Sequence, residues 1–158
     1  MSKILLHITY SLLILAVAMP LRADDEKETK DPLDGLKCFM MKKRDVKGKK
    51  VVDYKEGKLY LCCSSCVKRM ARTPEKYEAQ ANHQLVYTKQ YKQAACPLTG
   101  KELGNKSPKL KIGGVEVAFM DADSVEKIKA MEEDDQIAKV FGTDGFKTGK
   151  FTFVKPKK

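Results

Sequence analysis

Apolar and polar residues alternate on both sides of a short glycine-containing turn between residues 49 and 61, which is the pattern of a β-hairpin. Val52 and Tyr54 precede the turn, and Leu59 and Leu61 follow it. The spacing changes from residue 63 onward, where apolar side chains at positions 63, 66, 67, 70 and 71 share one face of a helix. The sequence therefore predicts a hairpin that runs directly into a helix ending near Arg72.

The segments around this hairpin are predicted from their cap and turn residues. Thr73 followed by Pro74 predicts a second helix, with threonine as N-cap and proline at the first position, where its missing N–H costs nothing. This helix is expected to end near Asn82, and residues 84–91 are expected to form an extended connector. The dense positive run over residues 42–50 is expected to be a solvated loop.

The same apolar pattern returns further along the chain. Each pair of matching positions is separated by the same number of residues as Cys38 and Cys96, which indicates an internal repeat. The matching positions are Cys38 and Cys96, Val52 and Leu110, Tyr54 and Ile112, Leu59 and Val117, Leu61 and Phe119, and Met70 and Ile128. Asp123 and Glu126 have the spacing of a capping box at the start of the second copy's helix. The remaining predicted elements are a turn at 113–114, a helix over 134–141, a loop over 142–149 and a last strand over 151–154. The predicted fold class is α+β, with two tandem modules, each a hairpin followed by one or two short helices.

The start of the chain, residues 1–23, differs in character from the rest. Lys3 precedes an apolar run over residues 4–19, and Ala23 stands just before an acidic stretch. A charged start, an apolar core and a small residue before the cut are typical of a signal peptide, here cleaved after Ala23. A membrane anchor is the alternative, but the run is shorter than the roughly 20 residues that a span requires. We therefore expect an exported protein, secreted or periplasmic, with no membrane span after cleavage.

The predicted organisation follows from this start and from the repeat. It comprises a signal peptide over 1–23, a flexible charged leader over 24–36, a first module over 37–93 and a second module over 94–158.

Composition and charge narrow the function classes. Charged residues make up 33% of the chain, and 31 Lys and Arg against 21 Asp and Glu give a net charge of +10. Such a charge suits nucleic-acid binding in general, but the lysines are scattered and export argues against that partner. No Ser-His-Asp set, phosphate-binding loop or acid pair is apparent in the sequence, so we expect no enzymatic activity. A metal ion is the expected partner, and another envelope protein is left open as a second.

Three cysteines have the spacing of a small metal-binding knuckle. Cys38 precedes the hairpin, while Cys62 and Cys66 lie four apart at the start of the helix, where their thiolates point the same way. Sulfur ligands suit zinc or copper(I) rather than magnesium or calcium. A closed tetrahedral site needs a fourth ligand, for which Cys63, His83, Met41 and water are candidates. Otherwise, His83 is expected at the surface at a helix end, and Met40 and Met41 are expected to fill gaps in the core.

The stretch from Tyr54 to Cys66, followed by Pro74-Glu75-Lys76-Tyr77, resembles the YHS/TRASH family of small metal-binding modules. The resemblance covers about residues 37–82, and 95–141 as a degenerate second copy. It implies a treble-clef-like fold, an association with transition and heavy metals, and Cys38, Cys62, Cys63 and Cys66 as candidate ligands. The family's usual Cys-Pro opening is replaced by Cys38-Phe39 in the first copy but is kept as Cys96-Pro97 in the second.

Other uses of the cysteines are left open. Export favours oxidation, so Cys38 could instead be bonded to Cys62, Cys63 or Cys66 in a disulfide that staples an envelope interaction module. Cys66 also lies on the apolar face of the helix, where it could be a core residue. Residues 63–66 form a C-x-x-C at a strand-to-helix turn, as in thiol–disulfide exchange proteins, although no tryptophan precedes it and no βαβ unit leads into it.

The second copy lacks three of the four cysteines. It retains Cys96 but has Met120, Asp121 and Ser124 where the first copy has Cys62, Cys63 and Cys66. A lone thiolate with a thioether and a carboxylate is a poor site for a soft metal, whereas Asp121 and Asp123 suit the capping of a helix. We therefore expect one metal ion per chain, with the second copy stabilised by its apolar face and by docking on the first.

Overall fold

The computed structural model describes residues 31–155, so the predicted signal peptide and most of the predicted leader lie outside the described residues. The strands are β1 (Lys37–Cys38), β2 (Met41–Asp45), β3 (Lys47–Tyr54), β4 (Gly57–Leu61), β5 (Tyr91–Lys92), β6 (Lys109–Ile112), β7 (Val115–Ala118) and β8 (Thr152–Phe153). The helices are α1 (Ser64–Arg72), α2 (Glu78–Tyr87), α3 (Ala122–Lys129), α4 (Glu133–Phe141) and α5 (Thr143–Thr148), with a 3₁₀ helix (Pro74–Tyr77) before α2. The predicted α+β class, made of small antiparallel hairpins and short helices, is confirmed.

The two predicted hairpins pair in the same register. In β3–β4, Val52 lies opposite Leu59, and in β6–β7, Leu110 lies opposite Val117, so that each pair in the second copy repeats a pair in the first at the predicted offset. The helices that follow keep this offset as well, because α1 begins at position 64 and α3 at position 122. The predicted repeat therefore holds in the backbone pairing as well as in the apolar pattern.

The two copies share one hydrophobic core. It includes Leu59, Leu61 and Met70 from the first copy and Val117 and Phe119 from the second, all of them nearly or fully buried. Burial of such side chains supplies about 1.5–3 kcal/mol each, so each copy stabilises the other by covering its apolar face. Helices α2 and α4 lie at this contact, where the Asn82 side-chain amide donates a hydrogen bond to the Phe141 carbonyl at 2.8 Å.

Glutamine side chains pair with the free edge of each hairpin. The Gln84 amide accepts from the backbone N–H of Tyr60 at 2.7 Å and donates to its carbonyl at 3.0 Å. Gln93 makes the same two bonds to Ala118, at 3.0 and 2.7 Å. Tyr60 and Ala118 are again equivalent positions of the repeat. Each glutamine amide therefore makes the two hydrogen bonds that a neighbouring strand would make. In the first copy these bonds hold the end of β4 in place just before Cys62.

Several predicted elements differ from those observed. The expected solvated loop over 42–50 instead contributes to strands β2 and β3, although its residues are mostly exposed as expected. The expected connector over 84–91 is helical as far as Tyr87 because α2 continues beyond Asn82. The expected loop over 142–149 contains helix α5. The N-cap of α3 is Asp121 rather than Asp123, so the predicted capping box is misplaced by two positions.

Among residues 31–155, no helix has the length and apolar character needed to cross a membrane.

Candidate metal centre

The predicted cysteine ligands come together from three segments. Cys38 ends β1 at the tight turn into β2, Cys62 follows the last residue of β4, and Cys66 lies in the first turn of α1. All three are buried, with at most 5% of each residue exposed. The end of the β3–β4 hairpin and the start of α1 therefore place Cys62 and Cys66 on one side of the site. The β1–β2 turn places Cys38 on the other side.

The sulfur atoms of Cys38, Cys62 and Cys66 lie within 4.8 Å of one another, and within the described part of the chain they form the one group of three metal-ligating side chains this close together. The sulfurs of Cys62 and Cys66 are 3.8 Å apart. Two thiolates bound at about 2.3 Å to one tetrahedral ion have sulfurs ~3.8 Å apart. The spacing of this pair thus suits a shared ion without rearrangement.

Backbone N–H groups stabilise the thiolate of Cys38. Burial acts to raise the pKa of this thiol, but N–H groups of Cys62, Met40 and Met41 point at its sulfur, and the pKa is lowered overall. Donors of this kind favour the charged form of the acceptor. The lowered pKa favours the thiolate form of Cys38, which is the form that could bind a metal ion.

The other two members of the cluster keep their protons. Burial raises the pKa of the Cys62 thiol, and burial together with contacts to the neighbouring thiols raises the pKa of Cys66. A metal ion bound here would have to replace these protons, because the thiolate is the form that binds. An ion entering the site must therefore supply the charge that makes these two buried thiolates stable.

Cys63 occupies a different position from the three buried cysteines. It is half-buried, and it lies at the N-cap of α1 with its sulfur 3.5 Å from that of Cys66. The backbone N–H and the thiol of Cys66 lower the pKa of Cys63 to about 7. In the second copy the equivalent residue, Asp121, accepts a 2.8 Å hydrogen bond from the backbone N–H of Ser124. Cys63 thus occupies the N-cap position without a side-chain capping hydrogen bond, and it lies next to the cluster rather than within the group whose sulfurs all lie within 4.8 Å.

The other candidate fourth ligands are placed differently from the sequence-based expectations. His83 is half-buried between the two copies: its Nε2 donates to the carbonyl of Ile112 at 3.2 Å, and its ring packs against Phe141. The expectation of a surface histidine is therefore wrong. Met41 is 42% exposed on β2 rather than in the core, whereas Met40 packs against the core as expected. Among the protein candidates, Cys63 has the side chain that contacts a cluster sulfur.

The second copy retains the backbone N–H donors that surround the thiol in the first copy, but it lacks the neighbouring thiols. Burial acts to raise the pKa of Cys96, but the Thr99 hydroxyl and the N–H groups of Leu98, Met120 and Thr99 lower it overall. These backbone donors occupy the positions equivalent to those that surround Cys38. Met120 is exposed, and the carboxylate of Asp121 caps α3 as predicted. The repeat therefore preserves the turn that holds a thiolate, while the buried cysteine pair is found in the first copy.

All five cysteines lie within the described residues and are free thiols.

No family model, curated protein or solved structure matches the chain.

The sequence predicts the three clustered cysteines and their neighbour Cys63, but not the groups that shift the pKa values of these thiols. The backbone donors at Met40 and Met41 leave no signature in side-chain chemistry. The N-cap position of Cys63 did have a signal, because the repeat aligns it with Asp121, and aspartate is a preferred N-cap residue. Gln84 gave no signal, since a glutamine has no characteristic spacing relative to the strand edge that it pairs with.

Proposed function

We propose that the protein is an exported, non-catalytic metal-binding protein that holds one soft ion, zinc or copper(I), through Cys38, Cys62 and Cys66. The observation that carries the proposal is the convergence of these three buried sulfurs within 4.8 Å. Export rests on the signal-like residues 1–23, and the resemblance to the YHS/TRASH family supports the class of ion.

The chemistry of the donor set favours soft ions. Three thiolates carry three negative charges in a site that is almost closed to water, and a zinc ion would offset two of these charges and a copper(I) ion one. The start of α1 contributes partial positive charge from its free N–H groups. Lys50 lies nearby, with its Nζ 3.1 Å from the Ser64 hydroxyl. An oxygen-preferring ion gains little from sulfur ligands, so magnesium and calcium are unfavourable occupants.

A bound ion would also brace the fold. It would join the β1–β2 turn, the end of β4 and the start of α1, three segments that side chains of a small core otherwise hold together. Structural zinc sites of this kind supply on the order of 10–16 kcal/mol of apparent binding free energy at neutral pH. Removal of the ion is therefore expected to lower the melting temperature.

Titration of the reduced full chain with cobalt(II), which takes zinc's place and reports its ligands, tests the proposal. We expect thiolate-to-cobalt charge-transfer absorption that saturates at one ion per chain and is displaced by zinc. The absorption should be lost in Cys62→Ser and retained in Cys96→Ser, a matched removal of one buried thiol. Absence of a thiolate band in the reduced protein would contradict the proposal.

A further inference from the structure

The sulfurs of Cys62 and Cys63 lie on two sides of a choice open to Cys66, a metal site or a disulfide. The sulfur of Cys66 lies 3.8 Å from that of Cys62, which is the separation expected of two sulfurs bound to the same metal ion. It lies 3.5 Å from the sulfur of Cys63. A disulfide bond is about 2.05 Å long, so Cys63 and Cys66 need to approach by only about 1.5 Å to form one. The same thiol is thus placed either to bind an ion or to join a disulfide.

Solvent access separates Cys63 from the rest of the cluster. Cys38, Cys62 and Cys66 are buried, whereas Cys63 is half-buried. A dissolved oxidant therefore meets Cys63 first. Its backbone is extended at the N-cap, with φ −157° and ψ 164°, so a change at this side chain does not require α1 to unwind.

The fold does not need sulfur at this position. The equivalent Asp121 caps α3 through its carboxylate in the second copy, and aspartate is among the strongest N-cap residues. A cysteine at position 63 therefore adds a property that capping alone does not require, and the property that distinguishes it from aspartate is oxidation.

We propose that Cys63 is an oxidation site through which a small-molecule disulfide, such as glutathione disulfide, releases the bound metal. The inference rests on the proposed metal-binding function and adds its regulation. The Cys63 thiolate attacks one sulfur of the small disulfide, which forms a mixed disulfide and expels one small thiolate. The Cys66 sulfur then attacks the Cys63 sulfur, which forms the Cys63–Cys66 bond and expels the second small thiolate.

The two cysteines together lose two electrons, and the small disulfide gains them as two thiols after taking up protons from solvent. The second step breaks the bond between Cys66 and the ion, because a disulfide sulfur no longer carries the thiolate charge. Cys38 and Cys62 alone leave two thiolates for an ion that prefers four ligands. The ion then dissociates, and a reducing thiol restores the site by the reverse reaction.

The test uses the full chain, reduced and loaded with zinc, with its zinc content measured before oxidation. Glutathione disulfide is added, zinc release is followed with a chromophoric chelator, and disulfides are mapped by mass spectrometry. We expect release from the wild type together with a Cys63–Cys66 disulfide. Release is expressed as the fraction of the zinc that each variant holds before oxidation, and Cys63→Ser, whose hydroxyl can accept a capping hydrogen bond, should release its zinc at least tenfold more slowly.

Two further variants sharpen the result. Cys63→Asp copies the cap of the second copy and should resist oxidation in the same way, whereas Cys96→Ser should release zinc as the wild type does. Equal release rates from Cys63→Ser and wild type, or a main product joining Cys38 to Cys62, would overturn this inference alone. A reduced wild type without bound zinc would instead overturn the proposed function, and this inference with it.

Discussion

Replacing Gln84 with methionine tests how the edge of β4 is held next to the cysteine cluster. The two side chains are similar in volume and unbranched, so the change removes two hydrogen bonds to Tyr60 while leaving little cavity. Gln84 is 1% exposed, and a methionine in its place would keep covering the two part-buried backbone groups, so that water cannot easily take over the lost bonds. Each lost bond costs about 1 kcal/mol, and each buried backbone group left unpaired costs up to about 3 kcal/mol. We expect Gln84→Met to lower the free energy of unfolding by about 2–4 kcal/mol.

Gln90 provides the matched control on the same strand. Its amide donates to the Thr88 hydroxyl at 2.8 Å. It also accepts from the N–H of Lys58 at 2.7 Å and donates to the Lys58 carbonyl at 2.7 Å, and these two bonds are exposed to solvent. Water can replace them, so Gln90→Met should cost about 1 kcal/mol or less.

The assay is urea unfolding of both variants and wild type, all reduced and freed of metal with a chelator. An unchanged dependence of unfolding free energy on urea would show that the comparison is between similar folded and unfolded states. Equal losses in the two variants, or a loss under about 0.5 kcal/mol in Gln84→Met, the range of an ordinary surface substitution, would refute the reasoning.

Two other predictions concern helices of the second copy. A Cβ added to Gly145 would overlap the backbone oxygen of Lys139, whereas one at Gly104 would meet nothing within 4 Å. Gly145→Ala should therefore lower the unfolding free energy by about 1–3 kcal/mol, and an effect no larger than that of Gly104→Ala would contradict this. The Ser124 side chain and N–H lower the pKa of Asp121, so its contribution to stability is present above the unfolded pKa of about 3.9 and is lost as the pH falls through the lower folded value. Asp121→Asn, which can still accept the bond but does not titrate, should reduce the acid dependence of the melting temperature below about pH 4, and an unchanged dependence would contradict the role of this carboxylate.

The sequence was sufficient to predict elements whose burial follows a simple period. Leu59 and Leu61 alternate with less buried residues, so β4 was recognisable, and the offset of the repeat then located β6 and β7. Met70 and Ile128 mark the buried faces of α1 and α3 in the same way. In these segments the apolar side chains alone determine which face is buried.

Elements were missed where polar side chains are buried or where partners outside the segment determine the structure. Asn82 and Gln84 are almost fully buried in α2, which hides its amphipathic pattern. Strand β2 is exposed along its whole length, so no alternation marks it, and pairing with β1 defines it. Gly145 suggested a loop, although the close approach of α4 and α5 explains a glycine inside a helix.

The clustering of the cysteines was predictable from the sequence, but the burial and the pKa shifts of each thiol were not. The spacing of Cys38, Cys62 and Cys66 was enough to bring them together, because a hairpin returns the chain to its starting edge. The difference between buried Cys66 and half-buried Cys63 depends on how α1 packs, which their closeness in the sequence does not reveal. His83 was misplaced for a similar reason, since its partner Ile112 lies in the second copy.

The most direct test of the metal-binding claim is the number of metal ions per chain in protein purified from its native compartment, measured by native mass spectrometry together with a count of free thiols. We predict one ion of the zinc or copper class, with none in the Cys62→Ser, Cys66→Ser double variant and one in Cys96→Ser. A chain without metal whose cysteines are fully paired in disulfides would contradict the proposed function. Two ions per chain, or loss of the ion in Cys96→Ser, would contradict the assignment of a single site to the first copy.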